Sequence, residues 1–352
     1  MRFKRVFTLS LIMILVFSLV VSLSEATPQK KDQKKDQKKD QKASVIPKDI
    51  KALLDQGLTT RQGKMDIPFQ FNDVIVLPAK GTYIAILSSR IKNADLEYTA
   101  SPADQENLKT SVEVFFDIYQ MQDSNLKLVA EHRTSGSFSV PAANYNPEEE
   151  ATYYLGYPLP SGKYLLACAL GNPATKKLGT TYYEFEIPNF EKEVQEGKLV
   201  TSSLFLLKDI QQMDTQENYP NFHKDYFSWI IFKAYPYAEK VLKPGDQPTL
   251  MFMIYGTKPN DSQKFDIEIN YDIRKDNNKI VAFTPMKYDS PFIEQPIPIP
   301  TTKKVQIKDD KGERIEDRPV EAGQYELVIN IKDNVSGLTL EKRIPFELVT
   351  QQ

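Results

Sequence analysis

The chain holds one cysteine and two histidines, Cys168, His132 and His223. That supply bounds the chemistry available to it. A zinc site takes several nitrogen and sulfur ligands, and the two histidines stand 91 positions apart. A cysteine nucleophile needs a neighbouring base, whereas Cys168 sits in an apolar run, Tyr164 to Leu170, and reads as a buried core thiol. No His-Glu-x-x-His, no Gly-x-Ser-x-Gly and no phosphate-cradling glycine loop occurs. Carboxylates are abundant, but a glycosidase pair is assembled in three dimensions, and nothing in the sequence singles one out. Asp266, Asp272, Asp276, Asn277 and Asn278 lie on or beyond one strand without EF-hand spacing; turn and edge positions account for them. The expectation is no cofactor, no metal and no enzyme.

Binding chemistry has one clear candidate. From Tyr219 to Trp229 the chain reads Tyr-Pro-Asn-Phe-His-Lys-Asp-Tyr-Phe-Ser-Trp. Aromatic rings beside polar groups stack on sugars, peptides or protein partners. Phe227, Trp229 and Ile231 alternate as the inward face of a strand does, so core packing competes with a binding surface. Tyr219, Phe222, His223 and Tyr226 precede that alternation and are the candidate binding residues. A second tyrosine-rich stretch covers Tyr145 and Tyr153 to Tyr157.

The segments before this one address the protein. Arg2, Lys4 and Arg5 precede an apolar run from Val6 to Leu23, and Ser24-Glu25-Ala26 fits a small-x-small cleavage site. Residues 1–26 thus read as a secretory signal peptide; an uncleaved membrane anchor is the alternative. Residues 27–46 read as a Lys/Asp/Gln-rich disordered tether, with KKDQ repeated between Lys30 and Lys42 and no apolar side chain in that run. The tether is basic, with seven Lys against three Asp, while the chain as a whole is formally −2. The folded part is therefore acidic, which argues against nucleic acid as a partner. The expected location is periplasmic or extracellular.

The remaining length suits two domains. Short alternating strands between Pro and Gly punctuation predict an all-β chain. Phe265 to Ile273, apolar at every second position, is a half-buried antiparallel strand. Residues 47–64 read as a short helix and linker, with Pro47 at its start and Gly57 closing it. A first β-sandwich is placed at 65–189, a linker at 190–199, and a second β-sandwich at 200–352. The hairpin grammar repeats between the two. Ser161-Gly-Lys-Tyr164 opens a strand that returns through Phe185-Glu-Ile187; Ala322-Gly-Gln-Tyr325 opens one that returns through Phe346-Glu-Leu348. Duplication of one domain type explains this.

The Gly-x-Tyr-x-Leu strand, the Asp333-x-x-Ser336-Gly337 turn and the return through Pro345-Phe346 resemble a module of exported, uncharacterised bacterial proteins that carry a Gly-Trp-x-Thr-Asp motif beside sandwich domains. The likeness covers Ala322 to Leu348 and, more loosely, Ser161 to Ile187. The namesake motif is absent, since Trp229 follows Ser228 and precedes two isoleucines. The resemblance implies tandem immunoglobulin-like or fibronectin-like antiparallel β-sandwiches and no catalytic residue. The function expected is a non-catalytic, exported binding or scaffolding protein of the cell envelope, its partner an envelope protein or polysaccharide. Carbohydrate binding through the aromatic surface is the alternative, and a glycoside hydrolase stands behind both.

Overall fold

The computed structural model describes residues 44–79, 81–123, 125–309 and 312–349. The signal-peptide reading, and the tether as far as residue 43, lie outside the described residues.

The fold is almost entirely β and built from several sheets. Helix α1 (Lys48–Gly57) precedes β1 (Gln70–Ala79), β2 (Thr82–Lys92), β3 (Thr99–Ser101), β4 (Asp104–Gln122), β5 (Asn125–Pro141), β6 (Glu150–Leu159), β7 (Gly162–Asn172) and β8 (Lys177–Ile187). Helix α2 (Phe190–Gln195) leads into β9 (Val200–Thr201), β10 (Phe205–Gln212), β11 (Asn221–Lys224), β12 (Phe227–Trp229), β13 (Phe232–Pro236), β14 (Val241–Leu242) and β15 (Thr249–Tyr255). Then come β16 (Ile267–Lys275), β17 (Asn278–Ala282), β18 (Met286–Tyr288), β19 (Phe292–Pro296), β20 (Thr302–Asp309), β21 (Gly312–Pro319), β22 (Gly323–Asp333) and β23 (Thr339–Leu348).

Four sheets stack face to face. The first has β4 between β5 and β7, with β8 outside β7 and β3 on the start of β4. The second runs β1-β2-β6-β11, the third β12-β13-β10-β15-β19, and the fourth β14-β23-β22-β16-β17. Side-chain alternation explains the stacking. On β2, Ala85 and Leu87 face the first sheet while Ile84 and Ile86 face the third. On β10, Phe205 and Leu207 point to the second sheet and Leu206 to the fourth. Both middle sheets are thus buried on both faces, which is why their strands read as continuous apolar runs such as Ile84 to Leu87. Three apolar layers result, one inside each half and one between the halves.

The two terminal hairpins match residue for residue. Tyr164 pairs with Phe185, and Tyr325 with Phe346; each ring pair is stacked, at 5.6 and 5.8 Å. Each tyrosine hydroxyl donates to the carbonyl four residues back, Pro160 at 2.9 Å and Glu321 at 2.8 Å. Burial at both positions pushes the phenol pKa up. The strand order repeats as well: β1-β2-β6 and β5-β4-β7-β8 in the first half correspond to β10-β15-β19 and β17-β16-β22-β23 in the second.

Helix α1 lies on the outer face of the first sheet, burying Leu54 together with Ile46 against Phe115, Leu165 and Ala167. Beneath it Lys51 Nζ reaches the Asp117 carboxylate at 2.6 Å. Asp117 is fully buried and its Oδ1 has no partner. Burial pushes the Asp117 carboxyl up, against the pull of Lys51. Burial would lower Lys51, but its hydrogen bonds to Asp117 and Asp55 outweigh that and hold the ammonium above its usual range. Among the described residues no helix is long and apolar enough to cross a membrane.

Candidate binding site

The aromatic stretch belongs to an excursion between β10 and β15. It leaves the second half, adds β11 to the edge of the first half's sheet beside β6, and returns as the β12–β13 hairpin. Gly156 makes the crossing possible. A Cβ there would meet Asn221 Oδ1 at 2.7 Å and the Tyr219 ring at 2.9 Å, so any larger residue has to displace the two side chains that staple the turn. Two bonds staple the turn: the Tyr219 hydroxyl donates to Ser228 O at 2.9 Å and Asn221 Nδ2 to Ser228 Oγ at 2.6 Å.

The structure separates the four candidate residues. Phe222 is 4 % exposed and stacks on Tyr153 in the first half's core, centroids 5.6 Å apart and planes at 13°. The hydroxyl of Tyr219 is turned inward, and burial pushes its pKa up to about 12. Phe227 and Trp229 are buried between the halves, with Trp229 Nε1 donating to Pro78 O at 3.0 Å. Ile231 does not continue their strand, because the chain turns at Ile230, whose φ is +55°. His223 and Tyr226 keep partial exposure and stack at 4.4 Å and 18°. Around them stand Glu217, 2.6 Å from His223 Nε2, Lys233, 5.1 Å from the Tyr226 ring centre, and Tyr235, 5.3 Å from it. Burial lowers the His223 pKa and outweighs the opposing pull of Glu217, so the net shift is downward; Nε2–H donates to the Glu217 carboxylate. Burial pushes the Tyr226 hydroxyl up to about 12.

A larger feature went unread in the sequence. Where the second, third and fourth sheets meet, a cleft of about 590 Å³ opens. Asp73, Arg90, Tyr154, Tyr237, Glu239 and Arg343 stand in its wall. They come from β1, β2, β6, the turn after β13, and β23, so no local motif records them. Arg90 bridges Glu150, at 2.7 Å, and Glu239. Arg343 bridges Glu326 at 3.0 Å and Glu341 at 2.9 Å. Each guanidinium is therefore flanked by two carboxylates. Glu239 and Lys240 occupy consecutive left-handed backbone positions, φ +59° and +54°. Non-glycine residues in that region cost about 1–3 kcal/mol each and gather at ligand sites. Lys208 Nζ lies 5.3 Å from the Tyr237 ring centre, beside the same wall. The Tyr237 face next to guanidinium and carboxylate groups offers stacking together with paired hydrogen bonds. Among the described residues no group of three or more His, Cys, Asp or Glu is placed to hold a metal ion.

No family model and no curated protein matches the chain. Among solved structures it is similar to a β-glucuronidase of Parabacteroides merdae with glycerol in its active site, at 9 % identity and a TM-score of 0.22. The match covers 75 % of this chain and 27 % of that one, so the chain spans about a quarter of the solved protein's length. At that TM-score the likeness carries no argument for an activity. The expectation of no enzyme is withdrawn on this match, which is to a glycoside hydrolase and assigns this chain no activity. It rested on contiguous motifs, whereas carboxylates such as Asp73 and Glu239 reach one cleft from remote positions.

Proposed function

We propose that this protein binds a saccharide of the cell envelope in the cleft where its two halves meet. The observation that carries the reading is the cleft wall: the half-buried Tyr237 ring beside guanidiniums paired with carboxylates. Sugars present flat C–H faces and neighbouring hydroxyls, which such rings and planar charged groups match. Clefts at domain junctions are the common location for ligand sites. His223, Tyr226 and Tyr235, half-buried and outside the cleft wall, form a second aromatic surface. Within this reading the two halves are fibronectin-like sandwiches of the module type found beside Gly-Trp-x-Thr-Asp motifs. The repeated strand order and the repeated Tyr164 and Tyr325 hydrogen bonds support that. An exported location rests on the Arg2-to-Ala26 pattern.

The test is a glycan array followed by calorimetry on the best hit, with Tyr237→Ala and Arg90→Ala as variants. Each is expected to weaken binding by about tenfold or more, the loss of one desolvated ring or charge-assisted pair. Product analysis of the same mixtures reads turnover directly. Unchanged affinity in both variants refutes the cleft.

A further inference from the structure

Four of the protein's exposed large apolar side chains share one place. Leu126, Leu128 and Val129, between 37 % and 44 % exposed, follow the tip of the β4–β5 hairpin, and Val45 is 54 % exposed. Val45 joins them because its backbone N–H donates to Glu131 on β5 at 2.8 Å. Leu128 and Val129 are then two to three residues along the strand from Val45's anchor, or about 7–10 Å. Among the described residues, β5 from Asn125 to Arg133 pairs with β4 alone, and Leu126, Lys127 and Leu128 are all exposed. The strand is bulged at Val129, since Ile118 opposes Ala130 while Tyr119 opposes Leu128. A bulge and an exposed lysine on an edge discourage a further strand from pairing there. The apolar side chains thus lie on an edge built against strand addition.

The sequence states what lies next to this edge. The chain reaches Ser44 directly from the run of seven Lys and three Asp, and 20 residues separate that serine from the apolar stretch Val6 to Leu23. Twenty residues reach at most about 70 Å, so if that stretch is retained, this end of the molecule is the end held near it. Basic segments add about 1 kcal/mol per Lys at an anionic membrane surface, and shallow apolar side chains add burial at the headgroup boundary. We propose that the β4–β5 hairpin tip is a membrane-contacting edge that inserts Leu126, Leu128 and Val129 shallowly into an anionic phospholipid surface.

The experiment labels full-length Leu128→Cys and, in parallel, Val129→Cys with a polarity-sensitive fluorophore. Cys168 is fully buried and is not labelled in the folded chain. Ser262→Cys, on an exposed turn of the other half, is the control. Vesicles of phosphatidylglycerol with phosphatidylethanolamine are expected to blue-shift the 128 and 129 labels and leave the 262 label unmoved. Replacing Leu126 by Asp in the labelled chains is expected to abolish the shift. No shift at 128 or 129 overturns the proposal. So does an equal shift without vesicles that grows with protein concentration, because that marks a second copy on the edge.

Discussion

Phe222→Ala tests whether the aromatic stretch is part of the architecture. The ring is 4 % exposed, stacks on Tyr153 at 5.6 Å and meets Phe138 edge-on at 6.1 Å. Removing it forfeits about 2–3 kcal/mol of transfer free energy and about 0.5–1.5 kcal/mol of ring–ring contact. With the cavity term, the loss is about 3–5 kcal/mol. At about 2–4 °C per kcal/mol the expected fall in Tm is roughly 6–20 °C. Urea unfolding followed by Trp229 emission is a direct assay, since that single tryptophan is buried between the halves. Phe222→Leu, which keeps most of the volume, should lose about 1.5 kcal/mol or less. A loss below about 1 kcal/mol for the alanine variant, the scale of an ordinary substitution, would refute the seating of β11 on β6.

Lys51→Met should cost about 3 kcal/mol, the low end for breaking a buried pair because Lys51 keeps some solvent contact. It strands the buried Asp117 carboxylate, whose folded pKa is already raised by burial. The penalty is present while Asp117 is ionised and shrinks as pH falls through the raised folded pKa, so urea midpoints of variant and parent should converge in acid; a constant gap refutes the pairing. Gly156→Val should push β11 off its neighbour, costing about 1–3 kcal/mol. Hydrogen exchange should then show lost protection from Asn221 to Lys224 while β16 and β22 keep theirs.

Local signals carried much of the fold. Gly162 and Gly323, followed two residues later by Tyr164 and Tyr325, announced both terminal hairpins, and the alternation from Phe265 to Ile273 announced β16. Pro47 and Gly57 bracketed α1. Other features have no local signature. Phe222 lies on a strand whose partner is Leu155, 67 positions earlier, and an aromatic residue reads the same whether it fills a core or lines a surface. The turn at Ile230 is illegible because a β-branched residue is the wrong chemistry for a positive φ. The cleft is assembled from Asp73, Arg90, Glu239 and Arg343, which only tertiary packing brings together. No contiguous motif records a site whose residues lie across the chain in this way.

The crossing of β11 has a consequence for biogenesis. When residues up to Ile187 have emerged from the ribosome, the first half possesses every strand of its own fold except one edge. It presents Leu77, Ile84, Ile86 and Tyr154 to solvent, since their partners Phe205, Phe227, Trp229 and Met251 have not been made. Its edge at β6 stays unpaired until Lys224 is translated. The nascent chain therefore passes through a stage with an open sheet edge beside an apolar face, the combination most prone to wrong association. A holdase, or export ahead of folding, would protect the chain over that interval, 37 residues to Lys224 and 64 to Met251; the completed chain closes the edge with β11 and the face with β10, β12 and β15.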